Sequence, residues 1–448
     1  MSFRKHLTVG LVAGFASQGL GALVSILVIR KLGPLERGIY AMVLALNTTL
    51  TYCLDLGISA ANETFLGKAE WSLGAVNGIS LASSGLFGGS AIVAGWIFRG
   101  ELVNRIMPGV SPAEISLGLA LVPFTLYSLY GESMLVGIEA IVLLNKISFL
   151  QSLLLMIGSA IFVILLNGGV KALLIVWAGA YVISALLIFL VLVRHDRPAF
   201  HLALWRKALS FGVRSFVTRA FRLGAFRLDS FFLNSMSGTI AVGYYSIATG
   251  LTEKLAPVLR AVYNAANRRV TGLDRCSSVA FTARIIRGFA LVLAVWVLAI
   301  GVAASFAVRL LFGGAFLPAA SPLRILALGI GFYSLAQIFG LFFTNQMARP
   351  GFVSLGIGLC VAASIPAYVL VIPRWGIAGA AWVTCGSTAA LFAILVAAFS
   401  RESGLALREI LVIRRGDITS LISPGLQRIL GRLRSRVTEL FAGQKVPE

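Results

Sequence analysis

Twelve long apolar stretches follow one another along the 448 residues, at about 7–29, 39–61, 73–98, 115–137, 147–166, 172–193, 208–235, 239–263, 285–308, 325–348, 351–372 and 376–399. Each comes close to the ~20 residues that a helix needs to cross the hydrocarbon core of a bilayer. The rest of the composition leaves little choice. Only 12% of residues are charged and 58% are hydrophobic, with a mean hydropathy of +0.92. A soluble globular chain carries about 25% charged residues, so a soluble enzyme of several domains is excluded, and the apolar content excludes a disordered chain. The first stretch follows Arg4, Lys5 and His6 and is too long for a signal-peptide core, so it is read as a retained helix. The expected fold is an all-α polytopic membrane protein of about twelve transmembrane helices.

Charge orients these helices. Lys and Arg number 38 against 17 Asp and Glu, a net charge of +21. With the N-terminus cytoplasmic, 23 of the basic residues fall on inner segments, 9 on outer ones and 6 within spans. That bias follows the positive-inside rule and predicts both termini in the cytoplasm. Gly33, Gly38 and Tyr40 recur as Gly238, Gly243 and Tyr245, an offset of 205. The match predicts two six-helix halves, over 1–200 and 201–400, arranged as parallel repeats. The charged stretch Arg194 to Lys207 links them. A basic tail occupies 401–448, and its residues 426–434 alternate apolar and basic at helical spacing, as in a helix lying on anionic membrane lipids. Cys53, Cys276, Cys360 and Cys385 are scattered and the three histidines lie outside the spans. Neither a disulfide framework, a metal site nor a histidine-based enzyme is suggested, and nothing asks for a cofactor or a nucleic acid.

Charges inside the spans are costly, at about 2.5–3.5 kcal/mol or more for an arginine near the bilayer centre, and usually face a cavity or a partner. The seventh span carries Arg214, Arg219, Arg222, Arg227 and Asp229. On a helix, Arg214, Thr218, Arg222 and Asp229 fall within an arc of about 80°, with Arg219 at its edge. The alternative for Arg214 and Arg219 is to reach the nearby interface with their long side chains. In the eighth span Glu253, Pro257, Arg260 and Asn264 share a face, and Pro257 loosens the helix there. This half is cationic. The first half offers carboxylates instead: Thr48, Thr51, Asp55, Ser59 and Asn62 form a polar stripe in the second span, and Glu132 lies in the fourth. Asp55, Glu132, Asp229 and Glu253 are candidates for ion coupling or for pairing with the arginines, and Arg214, Arg219, Arg222 and Arg260 for binding an anionic substrate.

Taken in order, several motifs resemble the multidrug/oligosaccharidyl-lipid/polysaccharide exporter superfamily, and within it the Wzx-type polysaccharide flippases. They are Arg30-Lys-Leu-Gly33-Pro34-Leu-Glu-Arg-Gly38-Ile-Tyr40, Leu54-Asp55-Leu-Gly57, Arg227-Leu-Asp229-Ser-Phe-Phe-Leu233, Val242-Gly243-Tyr244-Tyr245-Ser246-Ile-Ala248, Leu311-Phe312-Gly313, Pro322-Leu-Arg-Ile-Leu326 and Gly376-Ile-Ala-Gly379-Ala380-Ala-Trp-Val-Thr384. The resemblance implies a V-shaped pair of six-helix bundles, as in the MATE transporters. It also implies movement of an undecaprenyl-diphosphate-linked oligosaccharide across a bacterial inner membrane, with the polysaccharide polymerase machinery as a further partner. The alternatives are a cation-coupled multidrug antiporter of the same superfamily, which wants an acidic cavity, and a membrane glycan polymerase or ligase, which wants a larger outer loop than 99–113.

Overall fold

The computed structural model describes residues 3–254, 262–263, 266–267, 270 and 272–412, with the backbone alone over 3–23 and 213–226. Among these residues the regular elements are helices: α1 (Phe3–Leu54), α2 (Ile58–Gly67), α3 (Leu73–Ile97), α4 (Pro112–Gly137), α5 (Ile141–Leu165), α6 (Gly169–His195), α7 (Leu202–Ser237), α8 (Thr239–Glu253), α9 (Arg275–Phe312), α10 (Gly314–Gln346), α11 (Pro350–Ser403) and the short α12 (Leu407–Leu411). Both α1 and α11 contain two rods, because Gly33 and Gly376 leave helical geometry. With the second rod of α1 counted together with α2 across a 55° bend, the rods up to Ser403 number twelve and match the twelve apolar stretches. Among the described residues seven helices are long and apolar enough to cross a membrane on that ground alone, and the bent α1–α2 pair is an eighth. The arginine-bearing α7 falls outside that set. The protein is an all-α polytopic membrane protein.

Local sequence explains where the helices begin. Ser72 accepts a hydrogen bond from the Ala75 N–H at 3.2 Å to cap α3. Ser111 and Glu114 satisfy each other's backbone N–H groups at the start of α4, with Pro112 in the first helical position, where its missing N–H costs nothing. On α9, Leu298, Val302, Phe306 and Leu310 recur every four residues and are 57–77% exposed. Four apolar side chains on one face suit a lipid-facing surface.

The described chain falls into two compact units, one of 1–254, 303–326 and 357–387, the other of 255–302, 327–356 and 388–448. This division follows contacts, whereas the 1–200 and 201–400 halves follow the repeat. In the first unit a core of Ile58, Val76, Leu126, Tyr130, Leu192 and neighbours takes in the beginning of α7, where Leu204 and Ala208 are fully buried. The linker before α7 is a strap bound to α3. Asp196 accepts from the Gly74 N–H at 2.6 Å, Ala199 N–H donates to the Gly74 carbonyl at 3.0 Å, and Trp205 Nε1 donates to Ser83 at 2.9 Å. Lys207 donates to Glu70 at 2.9 Å and so holds that carboxyl below the usual carboxylate range. In the second unit Glu402 accepts from Arg275 and Arg349, each at 3.2 Å, and Phe339, Phe342, Phe392 and Phe399 pack together. Residues 413–448, including the amphipathic stretch 426–434, lie outside the described residues.

The 205-residue repeat has a structural counterpart. Gly33 and Gly238 share one backbone conformation, φ 76° and ψ 178° against φ 83° and ψ 171°. A Cβ at either would meet nothing within 4 Å, so it is the positive φ that calls for glycine. Five residues on, the reason changes. Gly38 and Gly243 lie where the 34–54 rod crosses α8. A Cβ on Gly38 would stand 2.0 Å from the Thr239 carbonyl oxygen, and one on Gly243 would stand 1.9 Å from that of Pro34. Pro34 and Thr239 are themselves 205 apart, so each half makes the same contact on the other. Positive-φ glycines at Gly109 and Gly313, and at Gly169 and Gly376, extend the correspondence to two more pairs of turns.

Candidate functional site

The second span is not one helix. α1 ends at Leu54, Leu56 (φ 46°) and Gly57 (φ 78°) turn the chain, and α2 departs at 55°. Asp55 sits at this break, 1% exposed. Its two carboxylate oxygens accept from the Ser59 N–H at 2.9 Å and the Ser59 hydroxyl at 2.8 Å, as a cap at the positive end of α2. The break interrupts the polar stripe expected in the second span. Thr51, Asp55, Ser59 and Asn62 are all buried against neighbouring helices, with Thr51 bonded to Thr125 at 2.8 Å and Asn62 to Ser80 at 2.9 Å. The break rotates α2 away from the periodicity that sequence spacing assumed.

Glu132 is different. It is half-buried on α4, within electrostatic reach of Tyr181 on α6. Among the described residues no hydrogen bond or ion pair holds it. Asp55 and Glu132 are both in the first unit, and the structure brings neither against Asp229 or Glu253.

Asp229 is 2% exposed and its partners are hydroxyls. Tyr245 donates to Oδ2 at 2.7 Å, while the Ser230 N–H and hydroxyl reach Oδ1 at 2.7 and 3.2 Å. Thr384 lies 3.4 Å from Oδ2 and 2.9 Å from the Tyr368 hydroxyl, and Phe232 stacks on Tyr368. Asp229 therefore ties α7 to α8 and α11 instead of lining an open chamber with the arginines, as its place on their stripe suggested. Replacing it with Leu takes from the buried Tyr245 hydroxyl its 2.7 Å acceptor, which costs about 1–3 kcal/mol, whereas Thr384 keeps the Ala380 carbonyl at 3.1 Å. We expect Asp229→Leu to lower the melting temperature of the solubilised protein and Asp229→Asn, which keeps an acceptor, to restore most of it. Equal melting of all three proteins would rule out this role.

Glu253 ends α8, exposed, and pairs with Arg227 at 3.8 Å with side chains 51% and 35% exposed. A pair this long and open contributes little, about 0–1 kcal/mol. Arg37 donates to Ser246 at 3.1 Å, lies over the Tyr40 ring at 5.5 Å, and is within electrostatic reach of Glu253. In the sequence Arg37 falls between the apolar stretches 7–29 and 39–61. Because Gly33 makes the turn so tight, Arg37 is already in the first turn of the next rod. Tyr245 and Thr384 escaped sequence reasoning as functional residues, although one sits in the repeat and both sit in the quoted motifs.

Arg214, Arg219 and Arg222 ride on α7, but their side chains lie outside the described part, and Arg260 lies outside the described residues altogether. Backbone position still ranks the three on α7. At ~1.5 Å per residue, counted from Ser237, Arg227 stands about 15 Å along the helix, Arg222 about 22 Å, Arg219 about 27 Å and Arg214 about 35 Å. A length of ~30 Å from Ser237, the thickness of a hydrocarbon core, takes in Arg227, Arg222 and Arg219 but not Arg214.

The comparisons with known proteins agree with this fold. The inward-facing conformation of a multidrug resistance MATE family transporter of the MOP superfamily superposes with a TM-score of 0.66 at 17% identity, covering 88% of this chain and 96% of that one. The lipid II flippase MurJ in an inward closed conformation gives 0.61 at 14%, covering 98% and 94%. A MOP superfamily transporter from Pyrococcus furiosus, described as having a binding pocket of reverse polarity, gives 0.62 at 16%, covering 90% and 95%. At these identities the likeness is one of fold. No curated protein matches the sequence. The family described as polysaccharide biosynthesis protein matches residues 3–266. With more than half of its length so matched, the chain belongs to the polysaccharide biosynthesis protein family, on the fold of the multidrug/oligosaccharidyl-lipid/polysaccharide exporters.

Proposed function

We propose that the protein flips a polyprenyl-diphosphate-linked oligosaccharide from the inner to the outer leaflet of a bacterial inner membrane, by alternating access and with both termini in the cytoplasm. The observation that carries this reading is α7: one unbroken helix, Leu202–Ser237, that carries Arg214, Arg219, Arg222 and Arg227 along its length, the last with an ion pair only at 3.8 Å. Arg222, Arg219 and Arg214 meet the diphosphate, since guanidinium groups fork onto phosphate oxygens in two parallel hydrogen bonds. Arg260 is a further candidate cation later in the chain. The glycan travels through polar surroundings while the polyprenyl tail stays in lipid. Membership of a polysaccharide biosynthesis family and the fold shared with a lipid II flippase support a lipid-linked glycan over a cationic drug. The product is handed to polysaccharide polymerase machinery on the outer side, and no step requires catalysis by this chain.

Depleting the protein is expected to leave lipid-linked repeat units unpolymerised in the inner leaflet. Their normal appearance in the outer leaflet would sink the reading. Of the carboxylates in the first half, Glu132 is the better placed to couple transport to a proton or cation, because both carboxylate oxygens of Asp55 are engaged by Ser59. Glu132→Gln is expected to cut export several-fold and to leave the remainder insensitive to a protonophore. Full protonophore sensitivity in the Asp55→Asn/Glu132→Gln double variant would exclude both residues.

A further inference from the structure

Helix α7 is held at both ends by contacts of different kinds. Its first turns are part of the core beside α2 and α3, through Leu204, Ala208 and the Trp205–Ser83 bond. Its far end is tied to α8 and α11 through Asp229. Between them come Arg214, Arg219 and Arg222. Just before that cationic stretch, α7 touches the helix break of the second span, backbone against backbone. A Cβ on Gly212 would lie 2.3 Å from the Leu56 carbonyl oxygen, and one on Gly57 would lie 2.2 Å from the Gly212 carbonyl oxygen. Side chains are absent from both sides of the contact, so nothing flexible can absorb a displacement there. The direction in which α2 leaves the break is fixed by the Asp55 cap on Ser59 and by the positive φ of Leu56 and Gly57.

We infer that the Gly57–Gly212 contact is a pivot, through which the break at Asp55 sets the position of the arginine-bearing part of α7. Gly212 is thus a positioning residue: it makes no contact with substrate and acts through Arg214, Arg219 and Arg222. A movement of α2 about its break is passed directly to α7 two residues before the first of them. The inference rests on those arginines meeting the substrate, as proposed above.

Gly212→Ala tests it cleanly, because Gly212 lies in a helix, where alanine by itself is favoured over glycine by about 1 kcal/mol. The only cost is steric, against the Leu56 carbonyl. Gly250→Ala is the control: it too lies in a helix, and a Cβ there meets nothing within 4 Å. Expected are a drop in export of tenfold or more for Gly212→Ala at a normal amount in the membrane, and export near wild type for Gly250→Ala. A cysteine placed at Ser215, in a chain whose four native cysteines are replaced, adds a readout that simple destabilisation does not move. Its rate of reaction with a small thiol reagent is expected to shift with Gly212→Ala and not with Gly250→Ala. An unchanged rate, or full export by Gly212→Ala, overturns the pivot. Full export by both Arg219→Ala and Arg222→Ala, run alongside, overturns the reading of the site instead, so the two failures are told apart.

Discussion

Arg222→Ala is expected to abolish export of the polysaccharide while the protein still enters the membrane at the wild-type level. Arg222 stands about 22 Å along α7 from Ser237, less than the ~30 Å of a hydrocarbon core, and within such a core a cation costs several kcal/mol unless it has an anionic partner. In the proposed function a diphosphate supplies that partner. Losing a charge-assisted hydrogen bond costs about 1.5–3 kcal/mol, and losing both prongs of a bidentate contact roughly doubles that, a loss of several orders of magnitude in affinity at 1.4 kcal/mol per tenfold. The series should be graded. Arg219→Ala loses less, and Arg214→Ala least, because its position reaches past the hydrocarbon. Arg222→Lys is expected to recover only part of the activity, since an ammonium keeps the charge but not the fork. Surface polysaccharide measured against the amount of membrane-inserted protein reads all four. Normal export by both Arg219→Ala and Arg222→Ala would remove the proposed site.

The crossing of the 34–54 rod with α8 predicts the second large effect. Gly38→Ala and Gly243→Ala each place a methyl group about 2 Å from a carbonyl oxygen, of Thr239 and Pro34 respectively. Backbone cannot yield as a side-chain tip can, so the rods must move apart. Overpacking of this kind typically costs 1–3 kcal/mol, occasionally more. Because the contact is reciprocal, the two variants should be destabilised alike. Once one methyl group has separated the rods, the second finds room, so the double variant should fall well short of the sum. Thermal unfolding of the four solubilised proteins closes this cycle. Strict additivity, or a large effect at one glycine and none at the other, would show that the two positions do not share one contact.

The helical segments were legible because twelve apolar runs have few other solutions, and the repeat was legible because Gly33, Gly38 and their counterparts answer to backbone needs that no other residue meets. The site was legible in part. The arginines of α7 stand out as costly charges whatever their surroundings. What spacing did not reveal is where a helix stops being one. The stripe from Thr48 to Asn62 assumes 100° per residue throughout, and the break at Asp55 interrupts it and makes Asp55 a buried cap. Asp229 was grouped with the arginines for a different reason: a helical wheel gives direction but not neighbours, and the hydroxyls of Tyr245 and Thr384 come from 16 and 155 residues away in sequence.

The reciprocal contact at Gly38 and Gly243 is the joint that two copies of a six-helix protein would make about a twofold axis. Joined in one polypeptide, the copies no longer depend on meeting by diffusion, since their tether sets the local concentration of each at the other. The tether also frees them from sameness. In a pair of identical subunits every substitution appears twice, so arginines gathered on one side would face arginines on the other. A single chain escapes that constraint: arginines gather in the sequence of α7 and carboxylates at Asp55 and Glu132, while the crossing at Gly38 and Gly243 stays reciprocal.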